Sequence, residues 1–178
     1  GRIAIPLAKS GFHVTLVDIS KKLIEKAIKI AKDEGVEKNI EFVWGDILCI
    51  DKLNEKYDVI LCLRDVLNYF KNPDKVLKIF RKVLNYKGYL ILSVGTKYSY
   101  LLKRGRKSEE IINNICYGKS IEEGIEYRLF NKEDLITLLS TNQFKVIKTS
   151  GDSILLQLFG PKVFDLFLDR NKSLLEKV

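Results

Sequence analysis

The chain has 178 residues, of which 46% are hydrophobic and 30% charged, enough for one globular domain with a sizeable core. Its three cysteines are an odd number, at spacings typical of neither zinc sites nor disulfide frameworks, which favours a reducing, cytoplasmic setting. No apolar run approaches the length of a bilayer-spanning helix, so we expect a soluble protein. The formal net charge of +8 permits anionic partners such as nucleic acid but does not require them.

Helix and strand patterns alternate along the chain. Helices are indicated by apolar residues at helical spacing, and strands by β-branched runs bounded by turn residues. In chain order, the patterns predict a helix over 2–10, a strand over 13–18, a helix between Ser20 and Gly35, strands over 40–46 and 57–63, a helix from Pro73 that closes at 85–88, a strand over 89–94, a helix between Asn131 and Asn142, and a strand over 144–148. This alternation indicates a single α/β domain around a mostly parallel sheet.

Several helix ends carry recognisable capping residues. Ser20 and Asn131 have side-chain oxygens of the kind that accept hydrogen bonds from the first free N–H groups of a helix. Asn72 is a third predicted N-cap, followed by Pro73 at the first helical position. Asn142 stands where a helix is expected to end in the left-handed region.

Chemically informative residues follow three of the predicted strands. Ligands of open parallel sheets bind at the carboxyl ends of the strands. Asp18 ends the strand over 13–18, where an acid can accept hydrogen bonds from both ribose hydroxyls of a nucleotide-like cofactor. Asp46 ends the next strand and can accept a hydrogen bond from an adenine amino group, while Ile47 offers an apolar wall. A third strand end leads from Leu63 to Tyr69.

The remaining distinctive side chains have structural explanations. Trp44 lies within a predicted strand and is expected in the core. His13, the only histidine, begins a strand beside a turn and is expected at the surface. The three cysteines, Cys49, Cys62 and Cys116, are best explained as small apolar packing residues.

Several stretches, taken together and in this order, resemble the motifs of class I S-adenosylmethionine-dependent methyltransferases. They are LVDIS at 16–20, WGDI at 44–47, YDVILCLRDVLNYF at 57–70, VLKIFRKVLNYKGYLILSV at 76–94 and RLFNKEDLITLLSTNQFKVIK at 128–148. The resemblance implies a Rossmann-like three-layer sandwich with a mostly parallel central sheet, and S-adenosylmethionine as the cofactor. It covers most of the chain up to about residue 150.

The resemblance also implies which residues bind the cofactor. They are Gly1, Asp18, Ile19, Asp46, Ile47, Leu63 and Tyr69. Asp18 would hold the ribose, and Asp46 and Ile47 the adenine. Leu63 would make a backbone contact to the methionine part, and Tyr69 would form a wall of the reaction pocket, with packing inside the protein as its alternative. The family's chemistry needs no metal and no covalent residue, and no catalytic residue is assigned. Arg64 departs from the small residue often found at its position.

The start of the chain resembles the middle of that family's fold. Gly1 matches the final glycine of the family's glycine-rich loop, so an apolar strand and most of that loop would come before it. We therefore expect a fragment truncated at the N-terminus, with truncation at the C-terminus also open. Because a central strand would be missing, we expect residues 1–178 alone to bind the cofactor poorly.

A polar, basic stretch at about 97–123 is predicted to be an insertion that acts as a mobile lid over the substrate pocket. It contains a cluster of four cationic residues, Lys103, Arg104, Arg106 and Lys107. Together with neighbouring tyrosines, this cluster is an alternative RNA-binding surface.

The sequence leaves more than one function open. We expect methyl transfer to an unidentified acceptor, a small molecule by default. The alternative is a non-catalytic methyltransferase-like subunit or an RNA-binding module. Asp18 and Asp46 could also serve only as caps of the elements that follow them. A nicotinamide-dependent short-chain dehydrogenase is disfavoured, because none of the eight tyrosines is followed by a lysine four residues later.

Overall fold

The computed structural model describes residues 1–97, 117, 119–122 and 125–151. The helices and strands in these residues are α1 (Ala4–Lys9), β1 (Val14–Asp18), α2 (Lys21–Asp33), β2 (Ile40–Trp44), β3 (Tyr57–Cys62), α3 (Pro73–Val83), β4 (Leu84–Leu92), β5 (Lys119–Glu122), β6 (Ile125–Arg128) and α4 (Lys132–Thr141). Short 3₁₀ helices occupy Glu37–Asn39, Ile47–Leu53 and Val66–Tyr69. None of the helices in this part of the chain is both long and apolar enough to cross a membrane.

The first of two compact units comprises residues 1–58 and 82–87. In this unit β1 and β2 pair in parallel, with Val14 opposite Ile40 and Asp18 opposite Trp44. The core includes a cluster of small and branched apolar side chains from both helices and β2, namely Ile5, Ala8, Ala31, Val36 and Ile40. Because the two strands are in register, they end side by side at Asp18 and Trp44, where the predicted site residues lie.

Helix α2 forms where the sequence predicts it. The Ser20 hydroxyl accepts a hydrogen bond from the Leu23 N–H at 3.4 Å, which caps the first turn. Ile24, Ala27 and Ala31 are buried along one face, at the spacing that an amphipathic helix requires. Gly35 follows with φ +69°, a left-handed conformation in which glycine carries no steric penalty.

The second unit comprises residues 59–81 and 88–178, of which the part up to 151 is described, with gaps. Asn72 caps α3 as predicted, accepting a hydrogen bond from the Lys75 N–H at 3.2 Å. The buried stripe of α3 includes Leu77 and Phe80, both fully shielded from solvent. β3 pairs with β4 in a second two-stranded sheet.

Two predictions near the C-terminal part are wrong. Residues 144–148, predicted as a strand, have no regular structure, and no strand in the described part of the chain pairs with them. A strand needs a partner for its backbone groups, and apolar alternation alone does not supply one. The left-handed residue after α4 is Gln143, with φ 64°, and not Asn142. Asn142 is buried instead, and its side chain donates hydrogen bonds to Asp74 Oδ1 and the Leu138 carbonyl, each at 2.9 Å.

The insertion predicted at 97–123 lies largely outside the described residues. Its end forms β5, which pairs antiparallel with β6 so that Lys119 is opposite Arg128. The sequence analysis did not predict this hairpin. The cluster of Lys103, Arg104, Arg106 and Lys107 lies outside the described residues.

Candidate functional site

Asp18 lies half-buried at the end of β1, and its carboxylate orders the turn that follows. Oδ1 accepts a hydrogen bond from the Ser20 N–H at 2.8 Å. Ser20 in turn caps α2. Within the described residues, nothing occupies Oδ2 of Asp18, so one carboxylate oxygen fixes the turn and the other is available to a ligand.

Asp46 has a similar arrangement two residues after β2. It is the N-cap of the 3₁₀ helix Ile47–Leu53, and its Oδ1 accepts a hydrogen bond from the Leu48 N–H at 2.8 Å. Its side chain is exposed to solvent. Asp46 therefore caps the element that follows it, as predicted in the alternative to ligand binding, whereas Asp18 orders the turn before α2 and Ser20 is the cap of that helix. Each acid uses only one oxygen in these contacts, so ligand binding stays possible.

Two isoleucines complete this edge of the first unit. Ile19 follows Asp18 and is 74% exposed. Ile47 follows Asp46 and is half-buried. The edge thus offers carboxylate oxygens beside exposed apolar surface, a combination that fits the ribose and the ring of an adenosine.

Gly1 also belongs to the first unit and lies against α2. A Cβ atom on Gly1 would be 3.1 Å from Ile5 Cδ1 and 3.5 Å from Ala27 Cβ. The absence of a side chain therefore allows the backbone to approach the helix closely. Its carbonyl accepts the Ile5 N–H at 3.1 Å, which begins the helical turn before α1.

The prediction that Trp44 is a core residue is wrong. Its side chain is 62% exposed, and its indole Nε1–H donates a hydrogen bond to the Ile19 carbonyl at 3.0 Å. The Lys21 ammonium lies over the ring, 5.4 Å from its centroid, within the range of a cation–π interaction. Because Trp44 is the last residue of β2 and opposite Asp18, its side chain extends along the strand ends instead of into the core.

Leu63 and Tyr69 belong to the second unit. Leu63 is half-buried and follows β3, and the next two residues, Arg64 and Asp65, have φ angles of 61° and 63°. Such left-handed conformations cost energy in residues other than glycine, and they cluster at functional sites. The Arg64 N–H donates to Ser93 Oγ at 2.7 Å, which holds this turn to the segment after β4.

Tyr69 is partly packed inside the protein and partly accessible to solvent, and so combines the two environments predicted as alternatives. Its side chain is 47% exposed, and its ring packs edge-on against Tyr127 with a centroid distance of 4.9 Å. One face of the residue is therefore packed while a large part remains accessible. Tyr69 is thus an accessible ring that the buried Tyr127 holds in place.

A buried polar residue that sequence reasoning missed stands directly before Tyr69. Asn68 is 1% exposed, and its amide donates to the Gly95 carbonyl at 2.8 Å and the Arg128 carbonyl at 2.5 Å. Its Oδ1 accepts the Gly95 N–H at 3.0 Å. Asn68 therefore joins the 3₁₀ helix Val66–Tyr69 to the segment after β4 and to β6. A polar residue inside an otherwise apolar stretch was the only signal in the sequence.

Cys62 is a structural residue of the second unit. Its thiol is buried, and this burial raises its pKa to about 11. A thiol of this kind stays protonated at neutral pH and is a poor nucleophile. The observation agrees with the prediction that Cys62 packs as a small apolar residue.

The chain belongs to the methyltransferase-domain family, whose profile it matches over residues 1–147. Its fold is also that of known members. A crystal structure of an S-adenosylmethionine-dependent methyltransferase from Clostridium acetobutylicum superposes with a TM-score of 0.57 at 17% identity, covering 75% of this chain and 65% of that one. The PH0226 protein from Pyrococcus horikoshii superposes with a TM-score of 0.60 at 25% identity, covering 79% and 67%. The predicted Rossmann-like α/β class is thereby confirmed.

The curated relatives are longer than the region they share with this chain. A ubiquinone biosynthesis O-methyltransferase from Rickettsia conorii is 36% identical over 104 residues, which cover 57% of this chain and 35% of the relative. In this relative and its counterparts from Rickettsia felis and Rickettsia canadensis, the region that matches this chain makes up between 35% and 42% of the relative's length.

Proposed function

We propose that this protein is an S-adenosylmethionine-dependent methyltransferase whose adenosine site is the edge formed by Asp18, Ile19, Asp46 and Ile47. The observation that carries the proposal is the position of the two acids at the ends of two paired strands. Each ends or follows one of two strands that are in register, and each has one carboxylate oxygen engaged by the backbone and a second one available. Because the chain belongs to the methyltransferase-domain family, we take a methyl-donor cofactor as the ligand of these two acids.

The residues would act by binding and orientation. When bound, S-adenosylmethionine supplies a methyl group on a positively charged sulfur, which is open to in-line attack. Asp18 would accept hydrogen bonds from the ribose hydroxyls, and Asp46 from the adenine amino group, with Ile47 against the ring. Leu63 and Tyr69 are assigned by the family resemblance to the methionine part and the pocket wall. Holding reacting groups in a productive geometry contributes roughly 7 to 11 kcal/mol in well-oriented systems.

For the acceptor we propose a hydroxyl group on a small molecule. The support is that several relatives, including proteins from Rickettsia conorii and Coxiella burnetii, are ubiquinone biosynthesis O-methyltransferases. We propose a cytoplasmic setting. The support is the odd number of cysteines, at spacings typical of neither zinc sites nor disulfide frameworks. RNA binding through Lys103, Arg104, Arg106 and Lys107 stays an alternative, which follows from these basic residues and the neighbouring tyrosines in the sequence.

The test is calorimetric binding of S-adenosylhomocysteine to the full-length protein and to Asp18→Asn and Asp46→Asn variants. Asparagine keeps an Oδ1 acceptor for the Ser20 or Leu48 N–H, so the caps survive while the negative charge is removed. We expect each variant to lose about 1 to 2 kcal/mol of binding free energy, because hydrogen bonds to charged acceptors are the stronger ones. Urea unfolding should change little.

Asp33→Asn is the matched control, since Asp33 is an exposed acid at the end of α2 in the same unit. It should bind like the unmodified protein. Unchanged affinity in both site variants would refute the adenosine assignment. Tight cofactor binding without methyl transfer to any small hydroxylated acceptor, combined with salt-dependent RNA binding, would favour the non-catalytic alternative.

A further inference from the structure

The exposed indole of Trp44 requires an explanation that burial does not provide. A tryptophan gains most of its stabilisation from removing its large apolar surface from water. Trp44 leaves 62% of that surface exposed and makes a specific hydrogen bond to the Ile19 carbonyl at 3.0 Å. The side chain is therefore held at the surface by a polar contact and by the Lys21 ammonium 5.4 Å from the ring centroid.

The hydrogen bond completes a set of three that immobilise the turn after β1. The Asp18 carbonyl accepts the Gly45 N–H at 3.0 Å, the Ile19 carbonyl accepts the indole N–H, and the Ser20 N–H donates to Asp18 Oδ1. Backbone groups of Asp18, Ile19 and Ser20 are thus fixed. The last residue of β2 and the residue after it hold the first two of these. Without the indole, the peptide that joins Ile19 to Ser20 would lose its described anchor to β2 and would be held only by the Ser20 N–H bond to Asp18 Oδ1.

We propose that Trp44 is a positioning residue for the adenosine end of the cofactor. By holding the Ile19 carbonyl, it sets the direction of the Asp18 carboxylate and of the exposed Ile19 side chain relative to Asp46. The inference rests on the proposed function, because it takes the edge with Asp18 and Asp46 to be the adenosine site. It adds a residue whose contact is to the binding turn and not to the ligand.

A positioning role and a purely structural role predict different effects on folding stability and on binding affinity. The Ile19 carbonyl and the indole are both accessible to water, so breaking their hydrogen bond exchanges it for bonds to solvent and changes folding stability little. A binding site is more sensitive, because misplacing an acceptor weakens every ligand hydrogen bond that depends on it. Positioning therefore predicts a loss of affinity without a matching loss of stability.

The experiment replaces the indole nitrogen alone. Benzothienylalanine, in which sulfur replaces the N–H, is incorporated at position 44 of the full-length protein through a reassigned codon. Trp44→Phe is the second variant, which also lacks the donor. We expect the dissociation constants of S-adenosylhomocysteine and of adenosine to rise together by about three- to tenfold, the effect of one typical hydrogen bond. Amide exchange at Ser20 should accelerate in the free protein, while the urea midpoint stays nearly constant.

Thr15→Val is the matched control. Thr15 Oγ1 donates to Glu41 Oε2 at 3.1 Å, which is another exposed hydrogen bond between β1 and β2. It lies near the amino ends of the two strands, away from Asp18 and Trp44 at their carboxyl ends. This variant should bind both ligands normally. Normal affinity in the Trp44 variants, with Asp18→Asn impaired, would overturn the positioning role and leave the proposed function standing. A loss of affinity matched by an equal loss of folding stability would also overturn it. Normal affinity in both aspartate variants would instead refute the site itself.

Discussion

Replacing Asn68, a buried polar residue in the described part of the second unit, by alanine should strongly destabilise the protein. The side chain is 1% exposed and makes three hydrogen bonds to backbone groups, two with Gly95 and one with Arg128. Alanine would remove all three. The Gly95 N–H and the Arg128 carbonyl would lose this partner, whereas the Gly95 carbonyl would keep the hydrogen bond from the Phe130 N–H at 3.3 Å. Because the Gly95 groups are buried, water cannot replace the lost bonds there without a rearrangement.

The magnitude follows from these contacts. A net hydrogen bond contributes about 0.5 to 1.5 kcal/mol, and a buried group left unsatisfied costs about 1 to 3 kcal/mol. Allowing for partial relaxation, we expect the free energy of unfolding to fall by about 3 to 5 kcal/mol. Such a loss is a large fraction of the stability of a typical domain.

Urea unfolding monitored by circular dichroism measures the effect, with Asn72→Ala as the matched control. Asn72 is an exposed cap with one described hydrogen bond, to the Lys75 N–H, so its loss should cost about 1 kcal/mol. The reasoning would be refuted if Asn68→Ala and Asn72→Ala were equally destabilising. It would also be refuted if the Asn68 variant kept its unfolding midpoint.

Two further predictions concern the second unit. Gly95→Ala should destabilise by about 1 to 3 kcal/mol, because its Cβ would lie 2.6 Å from Oη of the buried Tyr127. In urea unfolding, adding Tyr127→Phe should make the double variant less unstable than the sum of the two, and strict additivity would contradict the clash. Cys62 should react with iodoacetamide at pH 8 far more slowly than the half-buried Cys49, since burial raises its pKa from 9.0 to about 11. Because the folded state keeps this proton longer, stability should also fall as pH rises from 9 towards 11, and rapid labelling at pH 8 would contradict the assignment.

Local features were the ones that the sequence predicted well. The caps at Ser20, Asn72 and Asn131 form as expected, because each depends on a side-chain oxygen and an N–H three residues later. The positions of Asp18 and Asp46 at strand ends were predictable for the same reason, since strand patterns and turn residues locate such ends.

Contacts between distant residues were not predictable. The partners of Asn68 are 27 and 60 residues away in the sequence, so no local pattern marks them. The exposure of Trp44 depends on which groups lie across from the end of β2, and apolar character alone favoured the core. The failed strand at 144–148 has the same origin, because strand formation depends on a partner that the segment itself does not encode.

The register between β1 and β2 determines which changes of chain length this protein can absorb. Deleting one residue from β1 would draw Asp18 back by about 3.3 Å and turn its side chain to the opposite face, while Asp46 stayed in place. Insertions at 11–13 would leave the paired ends untouched, since these residues are exposed and lie before the amino end of β1. The connection before Ile40 is less tolerant, because it contains the buried core residue Val36. Protein engineers who graft peptides into this domain should therefore cut at 11–13 and leave the spacing from Val14 to Ser20 and from Ile40 to Leu48 unaltered.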